Sequence, residues 1–298
     1  MPQVSANGIN IEYESFGSSS SPVILLVMGF GMQLIAWPEP FCRDLASKGY
    51  RVIRYDNRDT GLSTKFDAAT APSVPWLVIR GLVGLPMHVP YTLRDMAADS
   101  IGLLDALDID AAHLVGASMG GMIAQNVSAS FSQRVRSLTS IMSTTGKRSL
   151  PGPDPQVLRH IFLGRPRKGD RDAVIAHSMR TLELIGSPGY AVDEDQRREL
   201  AAMSFDRCYY PAGVSRHIAA IIGDGDRRKR LAIISSPTLV IHGREDPLVP
   251  LAGGIDTAKH IAGARLAIIE GMGHNLPEAL WPVLVEMIAG HARQADGA

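Results

Sequence analysis

Acyl transfer by a protein needs a hydroxyl nucleophile, a base to take its proton, and an acid to orient that base. The chain offers such residues in the order serine, aspartate, histidine. Gly116-Ala117-Ser118-Met119-Gly120 fits G-x-S-x-G, preceded by the strand-like Ala112-His113-Leu114-Val115 and followed by Gly121-Met122-Ile123-Ala124. At a strand–turn–helix corner this spacing has a steric cause. The serine takes a strained backbone conformation, and a side chain at either flanking glycine would strike the neighbouring strand or helix. The turn also sets the hydroxyl at a helix start, where N–H groups favour a developing negative charge. The pentapeptide is only moderately specific by itself, so the downstream residues decide.

A later loop, Ile241-His242-Gly243-Arg244-Glu245-Asp246-Pro247, supplies the acid. Asp246 is expected to fill the role because Asp-Pro makes a rigid turn and its shorter side chain is held by the backbone; Glu245 is the alternative. Gly271-Met272-Gly273-His274 follows the last strand-like run and makes His274 the candidate base. His113 and His242 lie on or beside strands and read as packed or turn histidines. His88, His160, His177, His217, His260 and His291 fall in helices or insertions. An oxyanion needs two backbone N–H groups. Met119, directly after the serine, is expected to give one, and Phe30 in Met28-Gly29-Phe30-Gly31 the other.

The elements that must position these residues alternate. Residues 4–13 read as a hairpin turning at Asn7-Gly8. Apolar strand-like runs cover 22–28, 50–56, 112–115, 135–142, 237–242 and 264–269. Helical spacing covers 36–48, 91–107 and 277–291, the last with a proline in its first turn. Strands apolar throughout, interleaved with helices, predict an α/β fold with a mostly parallel sheet covered on both faces. Sites in such sheets form at the carboxyl ends of the strands.

Two stretches break the alternation. Residues 64–90 read as an extra helix on the domain or as a flap over a pocket. Residues 146–231 open on Pro151-Gly152-Pro153 and close on a charged run, 224–230; the diffuse basic surplus over 147–230 is expected to be a solvated outer face. They predict a mostly helical cap inserted between core segments 1–145 and 232–298.

The 298 residues carry 30 basic and 30 acidic side chains, which argues against a nucleic-acid or anionic-membrane partner. Two cysteines, Cys42 and Cys208, without metal-type spacing, read as reduced thiols. With no apolar run near the ~18 residues of a membrane span and no basic-then-apolar leader at Met1-Pro2-Gln3-Val4, a cytoplasmic protein is expected.

Leu26-Val27-Met28-Gly29, Trp37-Pro38, Tyr55-Asp56-Asn57-Arg58-Asp59-Thr60-Gly61, the serine turn, the Asp246 loop and Gly271-Met272-Gly273-His274 together resemble a family. They are similar to the serine esterases of the α/β-hydrolase superfamily, more narrowly to the cap-bearing bacterial hydrolases that include aclacinomycin methylesterase. The superfamily usually has His-Gly at the first loop, where this chain has Met28-Gly29, and Asp59 stands where many relatives carry glycine. The resemblance implies an α/β-hydrolase fold: a mostly parallel central sheet flanked by helices, with an inserted, mostly helical cap. It also implies hydrolysis of a carboxylic ester through an acyl-enzyme on Ser118, with no cofactor or metal. Lactonase, thioesterase, carbon–carbon hydrolase and perhydrolase chemistry share the same triad, and a non-catalytic ligand-binding member is the second class of reading. Met28, Met122, Met142 and Met272, close in sequence to these residues, are candidate walls for a neutral, apolar ester, with core packing as their alternative role.

Overall fold

The computed structural model describes residues 1–70, 76, 89–163, 166 and 170–297, with backbone alone at 162–163. The expectation for 64–90 therefore lies largely outside the described residues.

Eight strands form one sheet: β1 (Gln3–Ala6), β2 (Ile9–Phe16), β3 (Val23–Val27), β4 (Arg51–Tyr55), β5 (Ala112–Ala117), β6 (Val135–Ile141), β7 (Thr238–Gly243) and β8 (Arg265–Ile269). Their spatial order is β1-β2-β4-β3-β5-β6-β7-β8. The β1–β2 and β2–β4 pairs are antiparallel, and every other pair is parallel. Asn7 and Gly8, both at positive φ, make the two-residue turn between β1 and β2.

Period-2 alternation divides the core in two. Val23, Leu25 and Val27 of β3 join one cluster with helices α2 (Leu93–Ala106) and α3 (Met119–Ser130). Ile24 and Leu26 join the other, with α1 (Glu39–Ser47) and the C-terminal helix α10 (Trp281–Asp296). From β3 the chain goes outward to β4, then returns to β5 on the other side of β3. That reversal opens a crevice at the carboxyl ends of β3 and β5, where α/β sheets place ligands.

Two helices differ from the expected bounds because of proline. Pro38 ends a short 3₁₀ turn and caps α1, so that helix starts at Glu39. A helix beginning at 277 would hold Pro282 in its interior, without an N–H to donate. Instead Glu278–Leu280 form a 3₁₀ turn, and Pro282 sits in the first turn of α10.

Between β6 and β7 lie helices α4 (Pro155–Leu163), α5 (Arg171–Leu184), α6 (Glu194–Arg207), α7 (Pro211–Asp224) and α8 (Arg228–Leu231). Within this insertion, whose basic surplus is expected to face solvent, the charged end is not wholly solvated. Arg227 is 1% exposed. It pairs with Asp224 at 2.9 Å and donates to the Thr144 carbonyl at 2.6 Å and Gln125 Oε1 at 3.1 Å. Those acceptors are what a buried guanidinium requires. Helix α9 (Ala252–His260) connects β7 to β8. Cys42 and Cys208 are both free thiols, and burial pushes the Cys42 pKa up to about 12.

Candidate active site

Ser118 sits between β5 and α3 with φ 56° and ψ −119°, a region costly for any residue with a side chain. The surrounding backbone holds it there. A Cβ on Gly116 would run into the Gly120 carbonyl, and one on Gly120 into the Val27 carbonyl at the end of β3. Ser118 N–H donates to the Ile141 carbonyl at 2.9 Å, and its own carbonyl accepts from Ser143 Oγ at 2.9 Å. The elbow is thus seated on both neighbouring strands.

Asp246 and His274 converge on this serine from the loops after β7 and β8. His274 Nδ1 lies 2.7 Å from Asp246 Oδ2, and its Nε2 lies 3.0 Å from Ser118 Oγ. A carboxylate only accepts, so Nδ1 carries the proton and the Nε2 lone pair faces the hydroxyl. The second Asp246 oxygen accepts from Leu248 N–H at 2.9 Å and Val249 N–H at 2.8 Å, which fixes the carboxylate within its own turn. Glu245 points elsewhere: its Oε2 accepts from Gly271 N–H at 2.7 Å. All three residues are buried, so an ester carbonyl held against Ser118 would meet them in a medium of low dielectric.

The loop after β3 approaches the serine closely. A Cβ on Gly29 would lie 3.2 Å from Ser118 Cβ. Among the described residues, the backbone N–H groups of Phe30 and Met119 meet no protein acceptor. Asn57 Nδ2 braces the loop by donating to the Met28 carbonyl at 2.9 Å. Asp56 accepts from Leu34 N–H at 2.7 Å and Leu62 N–H at 2.8 Å, linking the loops after β3 and β4.

The candidate methionines fall into the two cores: Met28, Met142 and Met272 into one, Met122 into the other. Met272 is fully buried, while the other three each keep 5% of their surface. The remaining histidines near the triad make structural contacts. His113 bonds Ser137 at 2.9 Å, and burial lowers its pKa. His242 donates from Nε2 to the Val249 carbonyl at 2.7 Å, and burial lowers its pKa too.

Residues that sequence reasoning missed lie in the insertion. Ile185 accepts from His274 N–H at 2.7 Å, and Ser187 Oγ accepts from Gly273 N–H at 2.9 Å while donating to Asn275 Oδ1 at 2.5 Å. On the opposite side, Arg207 pairs with Asp56 at 2.8 Å and Arg216 with Asp59 at 2.7 Å. Burial works against ionisation of Asp59, yet Arg216 together with Phe66 N–H and the Tyr91 hydroxyl holds its pKa below the usual carboxylate value. The one available signal was the concentration of charge in Asp56-Asn57-Arg58-Asp59, too dense for an apolar strand end without partners.

The profile of the alpha/beta hydrolase fold family matches residues 22–278. A rhodomycin D methylesterase from Streptomyces sp. (strain C5) is 29% identical over 311 residues, covering 98% of this chain and 98% of that one. The 3-oxoadipate enol-lactonase 2 of Acinetobacter baylyi is 26% identical over 269 residues, covering 90% of this chain and 87% of its own. Among solved structures, a meta-cleavage product hydrolase from Pseudomonas fluorescens IP01 superposes with a TM-score of 0.75 at 21% identity, over 99% of this chain and 98% of that one. The chain belongs to the alpha/beta hydrolase fold family.

Proposed function

We propose that this family member is a serine esterase that cleaves a neutral carboxylic ester through an acyl-enzyme. The reading rests on the unbroken contact from Asp246 through His274 to Ser118 on a strained elbow. Ser118 Oγ attacks the ester carbonyl as its proton passes to His274 Nε2, and Asp246 stabilises the resulting imidazolium. The tetrahedral oxyanion takes hydrogen bonds from the Phe30 and Met119 N–H groups. Collapse expels the alcohol, which receives the proton from His274. Water, deprotonated by the same imidazole, then attacks the acyl carbon and frees Ser118. The helices between β6 and β7 act as a cap over the crevice, and Met28, Met122 and Met142 supply apolar surface near its floor. The methylesterase likeness over nearly the full chain favours a methyl ester.

A lactone is the second substrate class, favoured by the likeness to an enol-lactonase. Its ring opens by the same attack, with the leaving oxygen still tethered to the acyl group. A panel of methyl esters, longer alkyl esters and lactones, with Ser118→Ala as the blank, separates the two. Methyl ester turnover and Ser118-dependent labelling by a serine-directed phosphonate are the expected results. Labelling that survives Ser118→Ala would sink the reading.

A further inference from the structure

One anchor of the oxyanion loop comes from neither its own strand nor its neighbours. Gly31 N–H, one residue beyond the Phe30 donor, points into the insertion and meets His217 Nδ1 at 3.1 Å. The other ring nitrogen, Nε2, lies 2.8 Å from the Arg58 carbonyl, which can only accept. The proton therefore sits on Nε2, and Nδ1 presents a lone pair to Gly31. His217 is fully buried on α7. Burial lowers its pKa to about 4, so the ring is neutral near pH 7 and keeps its acceptor. Val214, one turn earlier on the same helix, closes the seat from the side: a Cβ on Gly31 would lie 3.0 Å from Val214 Cγ2. Gly31 has φ 69°, so the peptide following Phe30 turns sharply at the point where α7 receives it.

We infer that His217 is a positioning residue for the oxyanion hole, through which the inserted helices set the rate of the chemical step. Asn57 holds the loop at the Met28 carbonyl and His217 holds it at Gly31, and the Phe30 N–H is suspended between these two points. A donor displaced by a fraction of an ångström stabilises the oxyanion less while leaving ground-state binding alone. The inference rests on the serine-esterase reading above.

Two near-isosteric replacements divide the ring's two contacts. In His217→Asn the side-chain oxygen can take the place of Nδ1 and keep Gly31, losing Arg58. In His217→Gln the amide nitrogen can reach the place of Nε2 and keep the Arg58 carbonyl, losing Gly31. With p-nitrophenyl acetate, kcat of His217→Gln is expected to fall about ten- to a hundredfold with KM within about twofold, and His217→Asn to stay within about threefold of the parent. A merely structural histidine would instead lower kcat in both variants in step with their melting temperatures, and that outcome overturns the inference. If His217→Gln does not fold, Val214→Ala loosens the same seat. It is expected to cost about three- to tenfold in kcat at constant KM, and an unchanged kcat there counts against the inference equally. Ser118→Ala run alongside keeps the two readings apart. Its full activity would overturn the esterase reading and this inference together, whereas its inactivity beside a fully active His217→Gln overturns this inference alone.

Discussion

The serine side of the site and the histidine side share steric exclusion but differ in how far the inserted residues add attraction to it. Around Ser118 the backbone is fixed by exclusion: Gly116, Gly120 and Gly29 each stand where a Cβ would meet a neighbouring backbone atom or the serine itself. Around His274 exclusion also acts, since a Cβ on Gly273 would meet the Gly186 carbonyl and one on Gly271 the Gly189 backbone, but attraction joins it. The loop's N–H groups donate to the Ile185 carbonyl, Ser187 Oγ and Glu245 Oε2, and the Ser187–Gly273 contact bridges 86 residues of sequence. Steric exclusion fails abruptly when a methyl group is added. A set of hydrogen bonds fails one member at a time, each contributing about 0.5–1.5 kcal/mol net. Substitutions that add a Cβ should therefore be nearly all-or-none on either side, and those that remove one hydrogen-bond partner of the histidine loop graded, except at the proposed triad.

Asp246→Asn is such an exception and carries the largest expected effect. The amide would donate where the carboxylate accepts, and His274 would be driven to the wrong tautomer. A loss of about 10⁴-fold in kcat is expected. The Asn oxygen can still receive Leu248 and Val249 N–H, so circular dichroism and melting temperature should stay near those of the parent. A large fall in melting temperature would show that Asp246 serves mainly to hold its turn.

Gly120→Ala comes next and tests exclusion directly. The added methyl meets the Val27 carbonyl of a fully buried strand, which cannot move aside without disturbing its β4 and β5 partners. The strain should reach about 3 kcal/mol, at the upper end of overpacking costs, and turnover should fall with stability. A variant with parental melting temperature and activity would mean that β3 yields, and the contrast between the two sides would dissolve.

What could be read from sequence follows the same division. Exclusion leaves a local signature, so the glycines around Ser118 are visible within five consecutive residues, and apolar strands that run into the loops carrying Gly29, Asp246 and His274 mark the sheet edge where a site must lie. Attraction leaves none. Nothing near His217 announces Gly31, 186 residues away, and nothing near Ser187 announces Gly273. Arg227 is the converse: a residue in a charged run that reads as a solvated face, yet lies buried because Asp224, Gln125 and the Thr144 carbonyl happen to converge on it. The four methionines show the remaining gap. Their proximity in sequence to Ser118, Asp246 and His274 follows from lying at strand ends or, for Met122, in the first turn of α3, and the same positions pack them into the cores beneath.

Ser187→Ala probes attraction. It leaves Gly273 N–H and Asn275 Oδ1 without their shared partner in a buried place, while Ile185 still accepts from His274 N–H. An unsatisfied buried donor costs about 1–3 kcal/mol, only part of which reaches the imidazole because one anchor persists. A fall of about tenfold in kcat, with KM little changed, is expected. Steady-state kinetics beside a thermal melt check it, and a loss as deep as that of Asp246→Asn would show the histidine loop to be as unforgiving as the elbow.

Glu245→Gln should do least, and its smallness is informative. Glu245 neighbours the acid and is the other carboxylate able to compete for that role. Its Oε2 is spent on Gly271 N–H at 2.7 Å, and the residue is exposed. Glutamine keeps a carbonyl oxygen at the same reach, so the contact survives and only a solvent-screened charge is lost, an effect of about 0.5 kcal/mol or less. Activity within about twofold of the parent is expected. A loss larger than that of Asp246→Asn would transfer the acid's role to Glu245 and require the His274 loop to rearrange in the working enzyme. Glu245→Ala separates the contact from the charge: it removes the Gly271 acceptor, so it should fall between Glu245→Gln and Ser187→Ala, as one more anchor in a graded set.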